Sequence, residues 1–207
     1  MDTPKGTKPP PNKRVFIVSD THFGHANICR FMHEGSKIRP WDNMEDHDAA
    51  LMERWNAVVS PSDKVYHLGD VCISRRSLSI LERLNGEKVL IRGNHDIFKI
   101  GDYTKHFKDV RAFHVLNGCV FTHAPIHPSC LEKFGCNVHG HTHVNFVKRP
   151  SDIGGMERDP AYLNVCVEHT DFSPIPLDEV FHRIVKQGGT VGMLKHRRSQ
   201  PLGWSSE

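Results

Sequence analysis

The 207-residue sequence lacks several features that would point at once to a class of protein. Its apolar runs are far too short to cross a bilayer, and the first residues, MDTPKGTKPPPNKR, contain no apolar core of a secretory signal. Its six cysteines form no CxxC pair, and their spacing is not that of a disulfide framework. We therefore expect reduced thiols, a cytoplasmic location and no association with a membrane.

A strong charge of either sign is also missing. The formal net charge is +3, and residues 1–14 and 186–207 each hold four basic residues and one acidic residue. The two ends together carry +6, so the middle of the chain is near −3. The core is therefore not expected to present a broad basic face, and contact with nucleic acid is expected only through the tails.

Length and composition are typical of one globular domain, with 38% hydrophobic and 25% charged residues. Residues 1–13 are rich in proline, lysine and glycine, which predicts a disordered basic arm. Residues 187–207 predict a basic, flexible tail. The functional domain is therefore expected to occupy residues 14–186.

Short runs rich in β-branched residues alternate with helical patterns in this domain. The predicted strands are VFIV (15–18), KVYHL (64–68), KVLI (88–91), RAFHVL (111–116), CVFT (119–122) and YLNVCV (162–167). Helices are predicted over 42–59, where Asp42 and Glu45 have capping-box spacing, over 76–87 and over 176–186. Asn117-Gly118 predicts a hairpin turn. The pattern indicates an α/β fold with parallel strands first and hairpin strands later.

Polar side chains follow five strand-like segments at the point where each segment ends. In chain order they are Asp20 and His22; Asp70; Asn94, His95 and Asp96; His123; and His141 and His143. A single Asp or His at a strand end is usually a cap, a turn residue or a packed histidine. If the pattern were accidental, such an explanation would have to hold independently at each of the five strand ends. Because ligands bind outside the carboxyl ends of strands in open α/β sheets, we expect one functional rim.

Carboxylates, imidazoles and an amide oxygen form a mixed nitrogen and oxygen ligand set. That set suits Mn²⁺, Fe²⁺, Zn²⁺ or Ni²⁺ better than Ca²⁺ or a structural zinc held by cysteines. Seven or eight ligands exceed the needs of one ion and predict two ions about 3.5–4 Å apart. If the segment is extended, His141 and His143 point to opposite faces and would serve different ions. Two dications, two aspartates and a bridging hydroxide retain positive charge, which would attract a phosphate ester.

The motifs resemble those of the calcineurin-like metallophosphoesterases, in particular the small single-domain type of bacteria and their viruses. They are DxH (Asp20, His22), GD (Gly69, Asp70), GNHD (93–96), a lone His123 and GHxH (140–143), in the family's order. The resemblance covers residues 15–186. It implies a four-layer αββα sandwich, in which helices flank two mixed β-sheets. It also implies a dimetal-dependent phosphoesterase acting on phosphodiesters, phosphomonoesters or both.

The resemblance also implies roles for the residues. One ion would be held by Asp20, His22 and His143, the second by Asn94, His123 and His141, and Asp70 would bridge them. The bridging hydroxide would attack phosphorus, and His95 would protonate the leaving oxygen while Asp96 orients or polarises it. Weaker candidates for substrate contact, each with a competing structural explanation, are His25, Asn27, Arg92 and His127.

One branch of the family is disfavoured. Ser/Thr protein phosphatases carry GDxxDRG, whereas Asp70 is followed here by VCISRR. Two alternative functions are weighed: a nucleic-acid end-processing phosphatase or nuclease, permitted by the basic tails, and a metal-binding scaffold for protein contacts, which the complete ligand set disfavours. The substrate (a nucleotide or another phosphate ester), the native metal and the oligomeric state are left open by the sequence.

Overall fold

Two β-sheets form the centre of the fold in the computed structural model, which describes residues 13–192. The strands are β1 (Val15–Val18), β2 (Met32–His33), β3 (Ser36–Lys37), β4 (Lys64–His67), β5 (Glu87–Ile91), β6 (Asp109–Arg111), β7 (His114–Leu116), β8 (Cys119–Thr122), β9 (Cys136–His139), β10 (Lys148–Pro150), β11 (Met156–Arg158), β12 (Tyr162–Asn164) and β13 (Ile175–Pro176). The α-helices are α1 (Met44–Val58), α2 (Ile100–Tyr103) and α3 (Leu177–Lys186). Single turns or short runs of 3₁₀-helix span Ala26–Arg30, Arg75–Arg83, Pro128–Leu131 and Val167–His169.

Both large sheets are mixed. The first has the order β13-β1-β4-β5-β6, in which β1, β4, β5 and β6 are parallel and β13 is antiparallel to β1. The second has the order β12-β9-β8-β7, in which β7 and β8 form the antiparallel hairpin. Asn117 and Gly118, both at positive φ, make its turn as predicted. The predicted α/β class with two mixed sheets is confirmed.

Side chains alternate along each strand of the first sheet, so its two faces pack into two different hydrophobic cores. Ile17 faces the second sheet and packs in one cluster with Phe121 and Val138, whereas Phe16 and Val18 face the opposite side. Val180 and Ile184 of α3 complete the core between the sheets. Strand β1 therefore contributes side chains to the hydrophobic cores on both faces of the first sheet.

Helices cover the outer face of the first sheet, where Trp55 of α1 and Leu81 of the 75–83 segment are buried. The outer face of the second sheet has a thinner cover, in which Leu131 of the 128–131 turn packs on Val120 and Tyr162. The layers are therefore helix, sheet, sheet and a short 3₁₀ layer, which is the expected four-layer sandwich.

Three predicted elements differ from the structure. The segment 111–116 is not one strand, because the chain crosses from β6 in the first sheet to β7 in the second. The segment 76–87 forms a 3₁₀-helix over Arg75–Arg83 rather than an α-helix. Asn43, not Asp42, caps α1 by accepting from the backbone N–H of Asp46 at 2.8 Å. Asp42 instead pairs with Lys37.

Most of the predicted arm and tail, at residues 1–12 and 193–207, lies outside the described residues. The packed part of the chain extends beyond residue 186, since the Gln187 amide donates to the carbonyls of Pro160 and Tyr162 at 2.8 and 3.0 Å. Within residues 13–192, no helix has the length and apolar character needed to span a bilayer.

Candidate metal centre

The loops that follow the parallel strands are joined by backbone hydrogen bonds. After β1, the N–H groups of Asp20 and His22 donate to the carbonyls of Gly69 and Asp70, each at 3.0 Å. In the second sheet, Gly140 N–H donates to the carbonyl of His123 at 2.8 Å. The polar motifs after the strands are therefore held in fixed positions.

Gly69 is required where two of these loops touch. It has a φ of +98°, and a Cβ built on it would lie 2.5 Å from the backbone nitrogen of Gly93 and 2.8 Å from Nδ1 of His123. Both contacts are far inside normal separations, and the conformation itself disfavours L side chains. The glycine thus allows the GD loop, the GNHD turn and His123 to meet.

Strained backbone is concentrated at this edge. Nine described non-glycine residues have positive φ, and five of them are candidate ligands: Asp20, His22, Asp70, His141 and His143. Left-handed backbone is unfavourable for such residues, costing about 1–3 kcal/mol each, and persists only where the surrounding structure imposes it. The positive φ values direct the side chains of these five residues towards the two clusters described next.

One cluster brings together Asp20, His22 and His143, whose ligand atoms all lie within 4.8 Å of one another. Nε2 of His22 and Nε2 of His143 are 3.7 and 4.0 Å from Oδ1 of Asp20. Burial lowers the pKa of His22 to about 4, so its imidazole is neutral at pH 7 and has a lone pair for a cation.

The two oxygens of Asp20 have different surroundings. Oδ2 accepts hydrogen bonds from the Ser19 hydroxyl at 2.5 Å, from the His141 N–H at 2.9 Å and from the Cys166 thiol at 3.2 Å. Oδ1 is buried and has no hydrogen-bond partner among the described residues. Three donors therefore fix the carboxylate and leave Oδ1 directed at His22 and His143.

A second cluster brings together Asp70, His123 and His141, again with ligand atoms within 4.8 Å. Nδ1 of His123 donates to the Leu68 carbonyl at 2.8 Å, because a carbonyl can only accept. Nε2 of His123 lies 2.8 Å from the amide oxygen of Asn94. An imidazole nitrogen and an amide oxygen are both available as metal ligands at this point.

Asp70 lies between the two clusters. Its Oδ2 is 3.7 Å from Nε2 of His22 and 3.4 Å from Nε2 of His123, one from each cluster. Burial and the nearby charges of Asp20 and Asp96 raise the pKa of Asp70. Cations on either side would favour its ionised form. The bridging role of Asp70 stays a prediction.

His95 and Asp96 have different environments. The N–H of His95 donates to Oδ1 of Asp70 at 2.8 Å, and its exposed ring lies 5.6 Å from that of His22. The buried Asp96 carboxylate accepts from the N–H groups of Asp70, Val71 and Gly93 at 2.8–3.0 Å. The prediction that Asp96 orients or polarises the His95 ring is therefore corrected: Asp96 holds the backbone of two loops.

Comparison with known proteins is consistent with this geometry. Residues 13–164, more than half of the chain, match the sequence model of the family described as calcineurin-like phosphoesterase. The chain belongs to the calcineurin-like phosphoesterase family. The resemblance inferred from the five motifs is thereby confirmed.

Three proteins similar to this phosphoesterase-family chain come from an archaeon, a phage and a bacterium. It is 34% identical over 187 residues to an uncharacterized protein of Methanocaldococcus jannaschii, covering 86% of this chain and 95% of that protein. It is 33% identical over 87 residues to the gene 66 protein of Mycobacterium phage L5, covering 40% and 39%. A solved protein of unknown function from Aquifex aeolicus has 23% identity and a TM-score of 0.62, covering 82% and 98%, which shows a shared fold.

The four weaker candidates are placed differently around the phosphoesterase-type centre. The His25 ring is 5.6 Å from that of His22, and its buried Nδ1 has no partner among the described residues. Asn27 is exposed on the following 3₁₀ turn. The guanidinium of Arg92 donates to the carbonyls of Asp96 and Phe98, so it supports the loop. His127 caps the 128–131 turn by accepting from the Ser129 N–H at 3.3 Å.

Sequence reasoning missed a buried ion pair behind the first cluster. Arg39 is fully buried, and its guanidinium lies 2.8 Å from the Glu168 carboxylate while donating to the carbonyls of Asp20 and Thr21. Glu168 in turn contacts Nδ1 of His143 at 3.0 Å. No spacing rule connects these residues, which are 129 positions apart. Only the fold shows their relation to the site.

The residues fit a pair of divalent cations on chemical grounds. Oδ1 of Asp20 and Nε2 of His22 are buried without hydrogen-bond partners among the described residues, which is unusual for native polar atoms. The two atoms lie 3.7 Å from each other, and Nε2 of His22 is also 3.7 Å from Oδ2 of Asp70. The set contains imidazole nitrogens with carboxylate and amide oxygens, the ligands that borderline metals prefer. The structure therefore presents two candidate sites for metal ions, with Asp70 in the second and close to His22 of the first.

Proposed function

We propose that this protein is a phosphoesterase that uses two divalent metal ions to hydrolyse phosphodiester bonds, phosphomonoester bonds or both. The observation that carries the proposal is the position of Asp70, whose Oδ2 lies between two histidine-containing clusters. Paired metal sites of this kind are typical of enzymes that displace groups at phosphorus. Family membership supports the same reaction class.

In this mechanism the residues divide into two ligand sets. Asp20, His22 and His143 would hold one ion, Asn94, His123 and His141 the other, and Asp70 both. When bound, the ions would activate water as a nucleophile and neutralise charge on the phosphate. Manganese, iron, zinc and nickel all suit the set, so the native metal is proposed only as a member of this group.

His95 would donate a proton to the departing oxygen. Its N–H is fixed by Asp70, while its exposed ring is free to reach a bound ester. General acid catalysis of this kind contributes about 10²–10⁴-fold to a rate. Asp96 would act through the backbone, as a positioning residue. Contact with a nucleotide or with nucleic acid, and the cytoplasmic location, stay predictions.

The test uses metal-stripped full-length protein assayed with Mn²⁺, Ni²⁺, Zn²⁺ or Fe²⁺. The substrates are 4-nitrophenyl phosphate and bis(4-nitrophenyl) phosphate, which separate monoester from diester cleavage. We expect metal-dependent turnover that is abolished by Asp70→Ala and by His123→Ala. Asp152→Ala, at an exposed position away from the clusters, is the control.

His95→Asn separates metal binding from catalysis. It should bind metal like the parent protein and turn over about 10²–10⁴-fold more slowly. Metal bound by the parent without hydrolysis of either substrate would contradict the proposal and favour the scaffold alternative. Unchanged rates in the Asp70 and His123 variants would exclude the mechanism.

A further inference from the structure

A cavity of about 830 Å³ opens directly beside the second cluster. One side is formed by Asn94, His123 and His141, the residues proposed above to hold an ion. The rest of the lining includes an apolar set, named the apolar wall, which consists of Ala112, Phe113, Val120, Ile126 and Phe134. The volume lies within the range of about 300–1,000 Å³ that is typical of small-molecule sites.

The apolar wall is supported from behind but open to the cavity. Ile126 and Phe134 pack on the buried cluster of Val120, Leu131 and Tyr162, which fixes their positions. Phe113 also lines the cavity and is 57% exposed, so much of this large aromatic side chain is uncovered. Phe113 lies between β6 and β7, where the chain crosses from one sheet to the other. The crossing therefore places an apolar ring next to the candidate metal ligands.

Two polar side chains that line the cavity, Thr122 and Arg92, have hydrogen-bond partners within the chain. The Thr122 hydroxyl donates to the Ala124 carbonyl at 2.7 Å and accepts from the Asn137 amide at 2.9 Å. The Arg92 guanidinium donates to two loop carbonyls, those of Asp96 and Phe98. A ligand with several polar edges, such as a nucleobase, would find few hydrogen-bond partners on this side. An apolar group would bury its surface here without leaving polar atoms unpaired.

We propose that this cavity binds an apolar alkyl or aryl group of the phosphate ester, while the phosphate lies against the two metal sites. The inference rests on the proposed function and narrows its substrate to organophosphate esters with an apolar substituent. Each methylene buried against the wall strengthens binding by about fourfold. Esters of small polar alcohols and nucleotides would gain little from the wall.

Cys130 provides a readout that is independent of turnover. It lines the cavity and is exposed, whereas the other five cysteines are buried. Alkylation of Cys130 by iodoacetamide, followed by peptide mass spectrometry, therefore reports occupancy of the cavity. The experiment uses the full chain with Mn²⁺ and four ligands: methylphosphonate, hexylphosphonate, phenylphosphonate and adenosine 5′-monophosphate.

We expect hexylphosphonate or phenylphosphonate to protect Cys130 at a concentration about tenfold or more below that of methylphosphonate. The better of the two identifies the occupant as an alkyl or an aryl group. Equal protection by methylphosphonate, or strongest protection by adenosine 5′-monophosphate, would overturn the proposal. The second result would identify a nucleotide site instead.

Phe113→Ser tests the wall directly, and its exposure makes misfolding a minor concern. The variant should lose most of the preference for the hexyl or phenyl ligand. Ile153→Ser is the matched control, since Ile153 is 97% exposed and does not line the cavity, and its preference should equal that of the parent. A preference unchanged by Phe113→Ser would contradict the inference.

The two proposals can fail separately. Metal-dependent hydrolysis of 4-nitrophenyl phosphate without preference for apolar phosphonates would overturn the cavity inference and leave the phosphoesterase intact. Selective protection of Cys130 without hydrolysis of any ester would support the cavity and contradict the proposed reaction.

Discussion

Nδ1 of His143 lies 3.0 Å from Oε1 of Glu168. A carboxylate can only accept, so the imidazole carries its proton on Nδ1 and directs the Nε2 lone pair towards Asp20. Burial opposes ionisation of Glu168, but the charge of Arg39 and the contact with His143 lower its pKa to about 2. The charge of Glu168 in turn outweighs the effect of burial on His143 and raises the pKa of that imidazole. Glu168 thus orients one candidate ligand and increases its basicity, and Arg39 holds Glu168 in place.

Glu168→Gln should weaken metal binding at the first cluster. The amide has no negative charge, so the His143 imidazole loses basicity and its tautomer is no longer enforced. We expect affinity for Mn²⁺ or Zn²⁺ to fall by about 10–100-fold, measured by calorimetry on metal-stripped protein. Glu157→Gln, an exposed partner of Arg149, is the control and should bind like the parent. Equal affinities for both variants would show that Glu168 has no positioning role.

Gly69→Ala should damage the metal centre more than backbone strain alone can explain. Gly69 and Gly35 both have positive φ, +98° and +80°, but a Cβ at Gly35 has no atom within 4 Å. Gly35→Ala should therefore show only the conformational penalty, about 1 kcal/mol or slightly more. Gly69→Ala adds overlap with Gly93 and His123, so we expect a larger loss in urea unfolding and weaker metal binding. Similar losses for the two variants would contradict the close-contact explanation.

Asp96→Ala should destabilise the metal-free protein. Two buried N–H groups and one partly buried N–H group would lose their acceptor, and each buried unsatisfied donor costs about 1–3 kcal/mol. We expect a fall of roughly 3 kcal/mol or more in the free energy of unfolding, measured with urea and no metal. Asp152→Ala, exposed on the ribbon between β10 and β11, should change stability by less than about 0.5 kcal/mol. A small effect at Asp96 would remove its role as the link between the loops.

Metal ions should stabilise the folded chain. A ligand that binds only the folded state at 100 times its dissociation constant adds about 2.7 kcal/mol. The midpoint of thermal unfolding should therefore rise when Mn²⁺ or Zn²⁺ is added to metal-stripped protein. Asp70→Asn should lose most of this rise, because the amide is a weak ligand, whereas Asp109→Asn, at a half-buried position paired with Arg111 and outside both clusters, should keep it. A full rise in Asp70→Asn would place the ions elsewhere.

The sequence predicted the candidate ligands better than their surroundings. Polar residues after buried strands identified the rim, because strand ends in parallel sheets meet at one edge. His141 and His143 were expected to separate by alternation along an extended segment. They do lie in different clusters, yet the segment is not a strand, and positive φ at both residues directs them. The separation was predicted correctly but from the wrong geometry.

Local pattern by itself determined strands β1, β4, β5 and β8, the hairpin turn at Asn117-Gly118 and the residue types of the candidate metal centre, because these follow from periodicity and from side-chain chemistry. Tertiary structure decided three other features: the crossing between sheets at 112–113, the Arg39–Glu168 pair behind His143, and the apolar wall around Phe113. Each depends on residues far apart in the chain that meet only when the two sheets pack. The physical reason is that local preferences fix the elements, whereas burial between elements decides which distant side chains become neighbours.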